Sequence, residues 1–197
     1  MTGREAKRER TRIRMETAAC ELALEHGSEH ITVDQICAAS EVSARTFFNY
    51  FGSREAALLG VGKPVPTPEA VAAYVASDEP AFEGFIAMLM DAALAREPNL
   101  HLIRLRRELF FREPALASQS FARSIATRGE YVKIIRERLR KEQPTASDPE
   151  IDDEATVLLA TALGIVQVVG NRWIESDGTA DPDHLIPQAI ERLRRLV

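Results

Sequence analysis

Cysteine is scarce in this chain: only Cys20 and Cys37 occur among 197 residues, and they do not form a CxxC pair. That excludes a disulfide framework and points to a reducing, cytoplasmic setting. The N-terminus lacks the apolar core of a secretory signal. The longest apolar run, "ATVLLATALGIVQVVG", is interrupted by Thr161 and Gln167 and is short for a membrane span, so a buried helix and no membrane partner are expected. Enzyme signatures are absent too. There is no glycine-rich phosphate loop, no serine or cysteine nucleophile motif and no HExxH. His26, His30, His101 and His184 are scattered without ligand spacing, so no metal, no cofactor and no catalysis are expected. Strand alternation persists nowhere, and no internal repeat or low-complexity tract appears.

What is present is helical periodicity and an uneven charge. The formal net charge is -5, yet residues 1–14 hold six basic side chains against Glu5 and Glu9. A basic arm therefore leads an acidic body, which suits a polyanion at one end only. A charged tail in solution has the same composition. The length fits one core plus a small appended module.

The periodicity predicts a first helix over 5–26, with Ile13, Ala19, Cys20, Ala23 and Leu24 inward, ended by Gly27. A second helix opens at Thr32. Thr32 and Gln35 form a capping box, and Ile31 and Ile36 a hydrophobic staple. A third opens at Ser43, with Val42 and Phe47 stapled, and reaches Tyr50; "REAALLG" follows as a fourth. "GKPVPTP" cannot be helix interior and marks a linker at 63–68. Beyond it, the steps Glu97-Pro98, Glu113-Pro114, Asp148-Pro149 and Asp181-Pro182 place caps before prolines. They predict helices over 81–95, 98–112, 114–141, 149–175 and 182–196. The expected fold is all-α. A three-helix helix-turn-helix DNA-binding domain occupies 1–62, and a helical bundle for ligand binding and dimerisation occupies 69–197.

Two short helices joined by the "SEVS" turn have helix-turn-helix spacing, in which the second helix is the reader. Ala38, Val42, Phe47 and Phe51 are expected inward, leaving Arg45, Thr46, Asn49 and Tyr50 outward. Arg45 can donate twice to a guanine edge, and Asn49 can pair with adenine. The hydroxyls of Ser43, Thr46 and Tyr50 suit phosphate oxygens, and Arg54 adds a charge at a helix start. With Thr32 and the arm residues Arg8 and Arg10, these form the candidate DNA contacts. A helical hairpin with a polar outer face satisfies the same spacing.

The residues "AACELALEHG", "ITVDQICAASEVSARTFFNYF" and "SREAALL" together resemble the DNA-binding domain of the TetR family of bacterial repressors. The resemblance implies an all-α homodimer on a double-stranded operator, a reader helix over 43–50, and a C-terminal domain for a small effector. It also implies phosphate contacts from Thr46, Tyr50 and Arg54, and base reading by Arg45 and Asn49. Three positions depart from the family pattern. Glu41 replaces the usual turn glycine, so an altered turn is expected. Arg45 stands where glycine is frequent, and Phe48 where tyrosine is frequent, which removes a phosphate-directed hydroxyl. "RTFFNYF", "EPNLHLIRLRRELFFREPAL" and Arg172-Trp173 are similar to a subgroup whose C-terminal domain binds fatty acyl-CoA-like ligands.

For the effector, Phe82, Phe85, Leu89, Leu105, Leu109, Phe121, Ile125 and Trp173 are the expected apolar lining. Arg106, Arg107, Gln167 and Asn171 are expected to orient an anionic head. Such stripes also form plain core. Residues 149–175 are apolar on more than one face and thin at Ala155, Ala160, Ala162 and Gly164, as a helix shared with a twin would be. Two alternatives remain: a helical protein-interaction adaptor, which leaves the basic arm and the reader helix unexplained, and a thiol redox sensor using Cys20 and Cys37.

Overall fold

The computed structural model describes residues 3–60, 66–96 and 99–196. Ten helices are found there and no strand. They are α1 (Gly3–His26), α2 (Val33–Ala39), α3 (Ala44–Tyr50), α4 (Arg54–Leu59), α5 (Pro68–Ala76), α6 (Ala81–Arg96), α7 (Leu100–Arg112), α8 (Pro114–Glu142), α9 (Asp148–Glu175) and α10 (Pro182–Arg194). The chain divides into unit 1, residues 1–62 with 99–123, and unit 2, residues 63–98 with 124–197.

Unit 1 is a helical cluster whose caps follow the sequence closely. Gly27 ends α1 at φ 86°, a conformation open to glycine. Thr32 caps α2: its Oγ1 accepts from the Gln35 N–H at 3.2 Å, and its own N–H donates to Gln35 Oε1 at 2.7 Å. Ser43 and Ser53 cap α3 and α4 in the same way, each accepting from the N–H three residues on. The core joins Met15, Ala19, Cys20 and Ala23 of α1 to Ile31, Ile36, Phe47, Phe51 and Leu58. Leu102, Leu109 and Leu116 complete it. The boundary expected at the proline-rich linker puts these last three in the 69–197 domain, Leu109 among the effector lining. Packing against α1 overrides chain order, because their apolar face is buried here.

A buried charge holds this cluster together. Glu16 is fully buried, and its carboxylate accepts from Arg12 Nη1 at 2.7 Å and from Arg106 Nη2 at 3.1 Å. Arg106 also donates through Nε to the Leu58 carbonyl at the end of α4, at 2.9 Å. Its guanidinium lies over Gly60, where any Cβ would come within 2.8 Å of the guanidinium carbon. Gly60 also sits at φ 75°, so both space and backbone require glycine there. Arg12 is bound to Glu9 as well. Burial disfavours its cation, but the Glu9 hydrogen bond and the Glu16 charge overcome that and hold its pKa above the usual arginine value. Just past the end of α7, its C-cap residue Glu113 accepts from the Ser28 N–H at 2.8 Å and from the Ser28 hydroxyl.

Unit 2 is a bundle built on α6, α8, α9 and α10, with Phe85, Ile86, Ile135, Leu139, Ile151, Ala155, Ala162 and Val169 at its centre. Helix α5 did not emerge from the periodicity. Its signature was present: Thr67 caps it, accepting from the Ala70 N–H at 3.2 Å, and Pro68 fills the first turn. The linker expected over 63–68 therefore ends in a cap, and its residues 63–65 lie outside those described. The Glu97-Pro98 step also lies outside them; α7 is capped by Asn99 instead, accepting from Leu102 N–H at 3.0 Å. At α9 the cap is Ser147 rather than Asp148, and Glu150 accepts from its N–H at 2.8 Å. Among the described helices, α9 alone is long and apolar enough to cross a membrane by length and composition. One of its faces lies in the bundle core.

Two measurements test this account. Replacing Glu16→Ala leaves Arg12 and Arg106 without their shared anion and should lower the unfolding free energy by about 3 kcal/mol, measured by urea denaturation. That is the low end for a broken buried pair, because both arginines reach solvent. Glu41 adopts φ 53°. Glu41→Gly should relieve that cost and stabilise the chain by about 0.5 kcal/mol, while Glu41→Val should destabilise it.

Candidate nucleic-acid interface

The turn between α2 and α3 keeps the geometry that glycine would give. Ser40 is buried and its hydroxyl donates to the Ile36 carbonyl at 2.6 Å. Glu41 takes the left-handed conformation, so the Val42 N–H reaches the Cys37 carbonyl at 3.0 Å. The altered turn expected from glutamate is not found; the residue bears the strain and the hairpin keeps its form. Ala38, expected inward, is exposed, and Cys37 beside it takes the buried position. A helix this short has room for one inward stripe, which Ile36 and Cys37 fill.

Phe47 is fully buried and anchors α3; its ring meets Phe51 at 5.4 Å and Phe48 edge-on at 5.6 Å. With Phe47 inward, Ala44, Arg45, Phe48 and Asn49 are all exposed. Arg45 and Asn49 have no side-chain partner among the described residues, so their hydrogen-bonding groups are available to a ligand. Phe48 is 56% exposed and stands between them on the same face. It was missed as a site residue because a phenylalanine in "TFFNYF" offers no polar group to read. Its exposure beside Arg45 and Asn49 supplies the signal that sequence lacked.

Other candidates are already engaged. Ser43 Oγ and Thr46 Oγ1 lie 2.9 Å apart, and Ser43 also accepts the Thr46 N–H, so these hydroxyls first serve the cap. Thr32 spends its hydroxyl proton on Gln35 at 3.1 Å. Arg54, expected on a phosphate, donates to the carbonyls of Glu29 and Ile31 at 3.2 and 2.8 Å and twice to Glu55. One of its five N–H groups is left over, so its first role is to pin α4 to the segment before α2.

The basic run on α1 begins inside a helix from Gly3 onward, not in a loose tail. Arg4, Lys7, Arg8, Arg10 and Arg14 are exposed, whereas Arg12 faces inward on Glu16. Arg8 lies over the half-buried Tyr50 ring at 5.6 Å, so the start of α1 meets the end of α3. One surface thus joins guanidinium groups to the reader face.

The effector candidates do not form one group. Phe85 and Leu89 are buried in the unit 2 core, with Phe82 packed against it. Leu109 is fully buried in the unit 1 core, Leu105 packs against that core, and Arg106 is held by Glu16 and Leu58. Arg107 and Gln167 are exposed; Phe121 and Ile125 are 56% and 57% exposed; Asn171 and Trp173 are half-buried on α9. The two thiols are poor redox groups. Burial pushes Cys20 up to about 11 despite the nearby Arg106, and burial followed by the Asp34 charge raises Cys37.

Residues 17–61 match the sequence model described as "Bacterial regulatory proteins, tetR family". The chain is also 30% identical over 179 residues to "HTH-type transcriptional regulator TcmR" of Streptomyces glaucescens, a match covering 86% of this chain and 76% of that protein. The matched segment contains the α2–α3 hairpin with its exposed reader face. By this similarity and by the hairpin itself, the chain belongs to the TetR family of bacterial helix-turn-helix regulators.

Proposed function

We propose that this protein is a cytoplasmic, homodimeric repressor with no enzymatic activity of its own. It reads a palindromic operator through α3 and leaves it when a small apolar effector binds. The reading rests on one observation above the others: Arg45, Phe48 and Asn49 stand exposed on a helix whose angle is fixed by the buried Phe47, beside the cationic start of α1. A protein-interaction adaptor needs no such pairing of cations with a polar reader face.

The homodimer is supported by α9. Its core face leaves a second stripe outside. Val157 and Val168 are 65% and 43% exposed, with exposed Ala160 and Gly164 between them. Residues at this spacing share a helix face, and the small pair allows close approach of a second helix. Two copies of α9 with α10 would form a four-helix interface with crossings of about 20°. A dimer presents two reader helices, which a palindromic operator matches.

The acyl-CoA-like effector suggested by the subgroup resemblance needs a cation for its anionic end. Arg106 is taken by Glu16, so the apolar character is the part of that expectation the chain supports. Repression would follow from a population shift: the effector favours a form whose reader helices no longer match the operator. Effector and DNA would then weaken each other by the same factor.

Selection from random duplexes should enrich a palindrome with half-sites about 34 Å apart or somewhat more, bound more weakly as salt rises. Recovery of no enriched sequence would return the protein to the adaptor reading. On the enriched operator, Arg45→Ala should relax preference at one base pair per half-site by about 1–3 kcal/mol. Tyr50→Phe should weaken all duplexes alike. Phe48→Ala should erase sensitivity to replacing one thymine by uracil, since the aromatic ring would pack on the thymine methyl.

A further inference from the structure

Between α5 and α6, wholly within unit 2, lies a cleft of about 580 Å³. That volume suits a small organic ligand. Its walls are mostly small and apolar. Tyr74 and Met88 form its buried side, and Gly84 and Ala87 keep α6 thin. A Cβ at Gly84 would touch the Tyr74 ring at 3.4 Å, so glycine here sets how closely the two helices approach.

The charged groups of this cleft share one sign. Glu79 and Asp91 line it, and no lysine, arginine or histidine does so among the described residues. Glu79 Oε2 lies 3.8 Å from the position a Gly84 Cβ would take, so the carboxylate leans over the cleft floor. Its backbone is held in place: the N–H donates to Ser77 Oγ at 3.0 Å, and the carbonyl accepts from the buried Arg138. Arg138 also donates to the Val75 and Ser77 carbonyls and lies over the Tyr74 ring at 5.9 Å. The Tyr74 hydroxyl donates to the Ala81 carbonyl at 3.1 Å. The turn carrying Glu79 is therefore fixed before any ligand arrives. Asp91 has no hydrogen bond or ion pair among the described residues. Unit 2 as a whole carries 12 basic and 19 acidic side chains.

We propose that the α5–α6 cleft is the effector site and that it takes a lipophilic cation: an aromatic or branched aliphatic skeleton bearing one positive charge. This rests on the reading of the chain as a ligand-controlled regulator. Apolar walls remove the skeleton from water, and the two carboxylates among the lining residues meet the charge. The nearest cations, Arg138 and Lys141, lie behind the wall and are spent on the carbonyls of residues 75–79, so an anionic ligand meets no cationic side chain among the lining residues and faces repulsion from both carboxylates and from the unit's surplus.

Two ions of nearly equal size and opposite charge test the sign directly. Tetraphenylphosphonium and tetraphenylborate are titrated into the full chain by calorimetry at 0.15 M salt. The phosphonium should bind once per chain, and the borate at least tenfold more weakly. The double variant Glu79→Gln, Asp91→Asn should reduce that ratio to threefold or less. Ala87→Trp, and independently Ala73→Trp from the facing helix, should abolish phosphonium binding while circular dichroism stays helical. Equal or tighter borate binding overturns the proposal, as does a ratio unchanged in the double variant. Phosphonium binding that survives both tryptophans places the site elsewhere and overturns it too. Operator selection on the same preparation reports separately on the regulator reading. An enriched operator without phosphonium binding removes the effector class alone. Phosphonium binding without an enriched operator removes the regulator and keeps the chemistry of the cleft.

Discussion

A carboxylate with no access to water holds unit 1 in place. Glu16 sits at the centre of α1 with two guanidinium groups on it, one from its own helix and one from α7. Isolated burial of such a charge is prohibitive, so the two arginines must stay. Arg106 then reaches the last turn of α4 through the Leu58 carbonyl and lies on Gly60. Helices from distant parts of the chain are thereby locked around a single ion cluster. The hairpin that carries α3 rests on the α1 face beside it, through Ile36, Phe47 and Phe51. Removing Glu16 strands two cations, and removing either arginine leaves the buried anion half-compensated, so the cluster holds α1, α4 and α7 together as the frame on which the hairpin rests.

Local chemistry was legible in the sequence wherever a single residue type dictates a backbone feature. The Thr32–Gln35 box, the Ser43 cap, Gly27 and the Val42–Phe47 staple all lie where hydrogen-bonding capacity and side-chain size require. What was not legible depends on partners distant in sequence. "HLIRLRRELFFRE" reads as an amphipathic helix with spare arginines, and nothing local says that Arg106 belongs to Glu16, 90 residues earlier. Arg54 carries the same lesson. At a helix start it looks available to a phosphate, but two carbonyls across the loop take its N–H groups. Apolar stripes suffer from a related ambiguity. Phe85 and Leu89 have the spacing of a cavity lining and prove to be core, because core and lining bury the same face.

The reader face shows how a departure from a family pattern becomes informative. A tyrosine at position 48 would supply a hydroxyl for a phosphate; phenylalanine supplies none, yet it remains more than half exposed. Exposed aromatic surface costs free energy in water unless something covers it. Arg45 and Asn49 flank it with free hydrogen-bonding groups, a combination suited to reading base edges through donors and methyl groups together. Meanwhile the cap hydroxyls of Ser43 and Thr46 are spent on holding α3. Under the proposed function, base reading and helix capping would thus fall to different side chains of a seven-residue helix.

The charge of the chain divides along its two units. Unit 1 holds 13 basic and 11 acidic side chains, and five of those acids lie on α1 itself, where Glu9 and Glu16 neutralise Arg12. Unit 2 carries the surplus of acid. A polyanion approaching unit 1 finds exposed cations on the outer face of α1 and at Arg45, which favours encounter with a duplex there. The same surplus raises the local concentration of cations around the α5–α6 cleft, where Glu79 and Asp91 are the charged groups at the wall. Under the proposed function, nucleic acid and a cationic effector would be sorted by sign before either makes a specific contact. Because this sorting acts through solvent, it fades as salt rises, with a screening length of about 8 Å at physiological ionic strength. Apolar contacts made by Phe48 or by the cleft's wall would not fade in that way, so under the proposed function specificity at both sites would outlast the field that delivers the ligands.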